Sequence, residues 1–384
     1  MKVSVVISAR NEYPSIVHTV HSILEDLGSF LPPSEYELVL VNNCSDESNS
    51  RRALNGTSDF LATRGMYHNG ILRVMYYPVA SNVGARNYGA KHARGEYVFF
   101  SDAHMFYAHG TFKRWIETID ESGGIVHPAV AWMGSYPPHK GMQYSWKLGE
   151  EAKGTWANYL VGDGNDWFYV PAMGHCSIGM KRSQFLEYGG YIENRCYGGG
   201  EMYLDTLWWM AGKTVVTDPR INCYHLSSER GYSYIHDDYI YNVFSSLYSL
   251  GADMWLERVY LNYLRKSKKD VLDKMLSDAK RDNEGRRKYV KGISVKSFND
   301  VIRERPWDSL NDKKFGSHNS GFLVFQDSWL PLLKGTPAEE AYKNSEYQEE
   351  LAKFIDENLA KYVYKRTTAM RPQSQSAPVE PSLS

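Results

Sequence analysis

The chain has 384 residues, 42% of them hydrophobic and 14% aromatic, enough to bury a sizeable core in about two domains. Its 44 Lys and Arg balance 45 Asp and Glu, a formal charge of -1, which excludes an overall field for nucleic acid or anionic membrane. The four cysteines, Cys44, Cys176, Cys196 and Cys223, show no CxxC spacing, which excludes a disulfide scaffold or zinc knuckle and suits a reducing compartment.

The N-terminal MKVSVVISAR meets charge at Arg10 too early for a signal peptide, and no apolar run reaches transmembrane length. A soluble cytoplasmic protein without membrane partners is expected. VSVVIS (3–8) reads as a short, β-branched, fully buried strand. In the next stretch Ile16, Val20, Ile23, Leu24 and Leu27 recur at helical spacing, with Asn11 as the expected cap. YELVLVNN (36–43) and LRVMYYPV (72–79) are two further strands, GARNYGAKHARG predicts a helix, and EYVFFSDAH a fourth strand. Such alternation predicts a doubly wound, mostly parallel α/β sheet. Ligands of such sheets sit beyond the carboxyl ends of the strands, where Asn11, Asn42, Asn43 and Asp102 all fall.

Residues 123–235 are rich in Gly, Trp and Tyr and predict loops between short elements. The segment 236–265 predicts helix, and 265–305 is a basic-leaning mixture of LRKSKKD and RRKYVKG type. An amphipathic helical stretch follows, and the last residues, TTAMRPQSQSAPVEPSLS, predict disorder. The expected domains are 1–265, a mainly helical 266–366, and a tail, 367–384.

VFFSDAHMFY (98–107) joins a buried strand to a carboxylate and an imidazole. In an extended segment Asp102 and His104 share one face and converge on one ion. That pair suits Mn²⁺, Mg²⁺ or Zn²⁺. From these residues alone, an Asp capping the next helix beside a surface His is the alternative.

VSVVISARNEYPSIVHTVHSIL, YELVLVNNCSDES, NVGARNYGAKHARGEYVFFSDAH, GGGEMYLDTLWWMAGKTV and RINCYHL stand in the order found in nucleotide-sugar glycosyltransferases of the GT-A fold. The chain resembles the polypeptide N-acetylgalactosaminyltransferases and their family-2 relatives over roughly residues 1–263, and the Asp-x-His form favours the former. The resemblance implies a GT-A, Rossmann-like sheet with a mainly helical C-terminal extension. It also implies a metal-dependent hexosyl- or N-acetylhexosaminyltransferase using a nucleoside-diphosphate sugar, UDP-linked by expectation, with Mn²⁺ or Mg²⁺. Asp102, His104 and His225 match the metal ligands. Ala9, Arg10, Asn11, Glu12 and Asn43 match the nucleotide-binding loops, with Asn43 standing where the family usually carries Asp. Arg86 and Asn87 match a helix facing the donor, where Arg86 reaches a phosphate or a sugar hydroxyl, and Gly84 and Gly89 permit close backbone approach.

Glu201 matches the GGE turn that contacts donor or acceptor, with Asp205 one helical turn on. Met202 replaces the Asp that serves inverting relatives as general base, which favours retention of configuration. Arg230 and Tyr232 match a loop that closes over the donor. Trp132 is the candidate cleft aromatic, with Trp208 and Trp209 in a helical pattern where at least one belongs to the core. The acceptor is left open among glycan, protein and modified nucleobase. Because some enzymes of this fold glycosylate hydroxymethylated DNA bases, the 265–305 stretch is also a candidate nucleic-acid surface, with or without transferase activity.

Overall fold

The computed structural model describes residues 1–53, 70–132, 145–148, 154–157, 160–225 and 235–316. Its first half winds β1 (Val3–Ala9), α1 (Ser15–Gly28), β2 (Tyr36–Asn43), β3 (Leu72–Tyr77), α2 (Asn82–His92) and β4 (Tyr97–Asp102) into parallel pairs ordered β3-β2-β1-β4. Every residue of β1 is buried because helices cover both faces. Alternation sends Val3, Val5 and Ile7 into the cluster shared with α1, and Val6 into the one shared with α2. Gly89 lets α2 lie close on the sheet, since a Cβ there would stand 2.4 Å from Val6 Cγ1. Asn11 does not cap α1. It takes a left-handed φ of 55°, and its Oδ1 accepts from the Asp46 N–H.

Beyond β4 come β5 (Met105–Tyr107), α3 (Thr111–Ser122), β6 (Ile125–Trp132), the hairpin β7 (Ser145–Leu148) and β8 (Gly154–Ala157), and β9 (Phe168–Tyr169). Then follow β10 (Ser177–Lys181), α4 (Arg182–Glu187), α5 (Glu201–Met210) and β11 (Val215–His225). The sheet runs on as β4-β10-β6-β11-β5, with β10 antiparallel to both neighbours and β11 parallel to β6. Its strands are thus mostly parallel in the first half and mixed in the second.

The chain then turns helical: α6 (His236–Ser249), α7 (Asp253–Leu264), α8 (Lys269–Ile293), α9 (Phe298–Glu304) and α10 (Pro306–Phe315). Residues of α8, α9 and α10, among them Leu272, Val301 and Trp307, lie in the core cluster that also holds α5 and α6. Trp307 packs edge-on to Trp209, and Asn311 brackets the Tyr169 backbone through two 2.8 Å hydrogen bonds. Several cations of α8 are matched by acids: Lys269 by Asp273, Arg281 by Asp278 and Asp282, Arg287 by Asp253, and Lys288 by Glu284. Such pairing makes this stretch a solvated face of mixed charge rather than a basic stripe. No helix among the described residues is long and apolar enough to cross a membrane. The expected tail, 367–384, lies outside the described residues.

Candidate active site

Parallel register brings the carboxyl ends of three strands to one edge. Ala9 stands opposite Asn42, and Ser8 opposite Asp102. β4 ends at Asp102, and residues 103–104 form a turn before β5. Asp102 and His104 therefore converge through a turn rather than through the pleat of one strand. β11 ends at His225, which pairs with Met105 of β5 and so arrives beside His104.

The contacts are close. His104 Nε2 and His225 Nε2 are 3.2 Å apart, and each lies about 4 Å from Asp102 Oδ2 (3.9 and 4.0 Å). Both imidazoles are nearly buried, at 4% and 7% exposure. The two ring nitrogens stand at hydrogen-bonding distance, one ring donating and the other accepting, and the same spacing lets both turn their lone pairs to one ion. His104 Nδ1 lies 3.1 Å from Glu12 Oε2. That carboxylate fixes the ring so that Nε2 faces the ion position, the outer-shell arrangement typical of metal-binding histidines. Glu12 thus backs His104 and also walls the neighbouring hollow.

Arg86 is buried beneath the site at 1% exposure. Its Nη2 donates to Asp102 Oδ1 at 2.7 Å and its Nη1 to the His175 carbonyl at 2.6 Å. Both arms of the fork are engaged by protein, one of them holding Asp102. Its guanidinium stays charged, because the neighbouring Tyr191 and Asp102 outweigh burial, which alone would lower its pKa.

Two adjoining hollows meet at Asn82, Asp102 and Cys196. One, a cleft of about 100 Å³, is bounded by Arg86, Trp156, His175, Asn194 and Glu201. The other is walled by Ala9, Arg10, Glu12, Asn43 and His104. Asn43 Oδ1 already accepts from the Ser81 N–H, so the group it turns to a ligand is its amide donor. Glu201 opens α5 after Gly198 and Gly199, whose φ values of 81° and 79° suit only glycine. Desolvation raises the Glu201 carboxyl above its usual range.

Other expected residues lie elsewhere. Asn87 exchanges two 2.9 Å hydrogen bonds with the Tyr191 backbone and lines neither hollow. Asp205 is fully buried and faces His127 and His175 instead of the cleft, because the next turn of α5 points into the core. Trp208 and Trp209 are both core residues, packed on Tyr188 and Trp307. Trp132 ends β6 opposite His225. Arg230 and Tyr232 lie outside the described residues. Trp156, His175, Asn194 and Cys196 were not expected at the cleft. They come from loop-rich stretches with no motif spacing, and only Asn82, beside GARN, carried a local signal.

Residues 4–185 match the model of glycosyl transferase family 2. The chain is 27% identical over 240 residues to polypeptide N-acetylgalactosaminyltransferase 3 of Drosophila melanogaster, covering 58% of this chain and 34% of that one. The crystal structure of GalNAc-T7 with UDP, GalNAc and Mn²⁺ is similar with a TM-score of 0.62 at 17% identity, over 82% of this chain and 58% of that one. The chain therefore spans about a third of the curated relative's length. The likeness places its sheet and helices in the GT-A-like fold.

Proposed function

With residues 4–185 a glycosyl transferase family 2 region of the GT-A fold, distantly similar to the polypeptide N-acetylgalactosaminyltransferases, we propose that the chain is a metal-dependent glycosyltransferase. It moves a sugar from a nucleoside-diphosphate sugar to an acceptor hydroxyl. The observation that carries this reading is the 3.2 Å approach of His104 Nε2 to His225 Nε2 beside Asp102 at the strand tips. The donor set of one carboxylate and two imidazoles, backed by Glu12, fits a divalent ion such as Mn²⁺. When bound, that ion supplies Lewis acidity toward the leaving diphosphate.

The chain's own residues supply the rest. The hollow bounded by Ala9, Arg10 and Asn43 receives the nucleoside, Asn43 donating its amide hydrogen to a base carbonyl such as one of uracil. UDP is preferred because the similar GalNAc-T7 structure holds it. Arg86 keeps Asp102 aligned. Glu201 faces the adjoining cleft, where donor sugar and acceptor meet, and its raised pKa suits a hydrogen bond to a sugar hydroxyl. Retention of configuration is favoured. Met202 and Asp205 are buried away from the cleft, so neither provides the general base an inverting displacement needs. Trp132, Arg230 and Tyr232 are proposed to complete the donor site, and residues 266–366 to take part in acceptor choice.

The test is turnover of a panel of nucleotide sugars with Mn²⁺ and without it. One donor should be slowly hydrolysed in the absence of acceptor, and chelation should stop it. His225→Ala should lower that rate by about 10²-fold or more while leaving the melting temperature nearly unchanged. Failure of every donor to bind, with or without Mn²⁺, would sink the enzymatic reading.

A further inference from the structure

We infer that His127, His175 and Asp205 form a second divalent-cation site, buried behind the first and separate from it. His127 lies on β6, His175 just ahead of β10, and Asp205 on α5. Three separate stretches of the chain thus send a ligand side chain into one place in the core. All three side chains are 0–1% exposed. His127 Nε2 is 3.2 Å from Asp205 Oδ1, and His175 Nε2 is 3.1 Å from Asp205 Oδ2. One nitrogen from each ring and a carboxylate oxygen lie within 4.8 Å of one another.

Hydrogen bonding alone leaves this cluster unfinished. His127 Nε2 does bond Asp205 Oδ1, and the Met173 N–H donates to Oδ2 at 3.0 Å. His175 Nε2, by contrast, lies close to Oδ2 but outside hydrogen-bonding angles, and it has no other hydrogen-bond partner. An unmade hydrogen bond on a buried polar atom costs about 1–3 kcal/mol. Ligands of one ion point at the ion and not at each other. With metal–ligand bonds of about 2.0–2.1 Å, neighbouring ligands stand about 3 Å apart, as these do. The carboxylate, buried without Lys or Arg against it, gains its counter-charge from the ion.

Two imidazoles and one carboxylate bind Zn²⁺ more tightly than Mn²⁺ in the general order of divalent affinities. Zinc is therefore the expected occupant. Among the described residues, the Nδ1 atoms of His127 and His175 have no hydrogen-bond partner. Without an outer shell the affinity should be about 10–100-fold below that of a fully supported site, so a chelator should strip it. The ion would tie α5 to β6 and to the segment carrying the His175 carbonyl, which receives Arg86. Arg86 in turn holds Asp102.

The experiment uses the full chain, stripped by chelator, reloaded with Zn²⁺ alone, and desalted before metal analysis. The double variant His104→Ala/His225→Ala removes the outer site and leaves the Arg86–Asp102 pair in place. It should retain one equivalent of Zn²⁺ and gain several degrees in melting temperature on reloading. Adding His127→Gln should abolish retention. X-ray absorption at the zinc edge of the double variant should show two imidazoles and oxygen ligands, and that measurement stands even if the triple variant fails to fold. Retention of no zinc by the folded double variant, or a coordination shell with fewer than two imidazoles, overturns the inference. Because the readout is metal content, it is independent of whether the chain transfers a sugar.

Discussion

Arg86→Met separates two readings of that residue. If the guanidinium meets donor phosphate directly, its loss weakens donor binding and leaves the free protein intact. The geometry says otherwise: Arg86 is 1% exposed, and it grips Asp102 Oδ1 at 2.7 Å and the His175 carbonyl at 2.6 Å. At an effective dielectric constant of about 20, charges 2.7 Å apart attract by about 6 kcal/mol, most of which offsets the cost of taking both from water. Removing one partner leaves the other buried and alone, a loss of about 3–5 kcal/mol. With a urea slope near ~3 kcal/mol/M, the unfolding midpoint should fall by about 1–1.7 M. Titration calorimetry of Mn²⁺ without donor should show weakened binding as well, because Asp102 is no longer aligned. Arg86→Lys should fall between, since one ammonium cannot reproduce the two-armed fork. An Arg86→Met protein that unfolds at the wild-type midpoint and binds Mn²⁺ normally would refute the reasoning.

Three further outcomes are expected. Glu37 is fully buried and accepts from Ser4 Oγ, the Arg94 N–H, Arg94 Nε and Arg73 Nη1. Desolvation raises its carboxyl, but these donors outweigh it and hold the pKa below the usual range. Its stabilisation is therefore present above the unfolded pKa and lost as pH falls through the folded one. Glu37→Gln should cost about 3–5 kcal/mol at pH 7 and flatten the acid limb of a stability–pH profile. Gly89→Ala should cost about 1–3 kcal/mol in urea denaturation, because its Cβ would stand 2.4 Å from Val6 Cγ1 and 3.0 Å from Val41 Cγ2. For Glu201 the sign is opposite, because its folded pKa is raised and its contribution is lost as pH rises through that value. Glu201→Gln should thus gain stability at pH 7, a gain that disappears in acid melts, while transfer activity falls about 10²-fold or more.

The sheet was readable because short β-branched runs such as VSVVIS and YELVLVNN, broken by helical spacing, leave little choice of architecture. Asp102 could be placed at a strand tip on the same grounds. His225 could not: only the order of motifs shared with a known family tied RINCYHL to a strand ending beside His104. Local pattern failed where side-chain direction depends on tertiary packing. Asn11 looked like a cap, yet it bonds the Asp46 N–H from a left-handed backbone. Asp205 looked aligned with Glu201, but one further turn of α5 turns it into the core. The partners of Glu12 and Arg86, the His104 ring and the Asp102 carboxylate, were not legible, since burial and partner choice are not written in spacing. His127 and His175 left no trace in the sequence at all, because nothing in a loop-rich stretch records that two distant histidines meet one aspartate.

The same donor set, one aspartate and two histidines, thus occurs twice in this fold, and its surroundings divide the roles. Asp102, His104 and His225 border two hollows that open to solvent, and an open coordination position is what Lewis-acid chemistry needs. At His127, His175 and Asp205 the side chains are sealed in the core, and a closed position can only hold structure. Arg86 joins the two, one arm on Asp102 and the other on the His175 carbonyl. A change at the buried cluster would therefore reach Asp102 through Arg86, as a shift in the angle of that carboxylate. That angle is sensitive because a carboxylate moved by about 1 Å loses much of its value to a reacting centre. On this account the core behind the cleft does more than support it: it sets the direction of a ligand that the strand tip alone would leave free to turn.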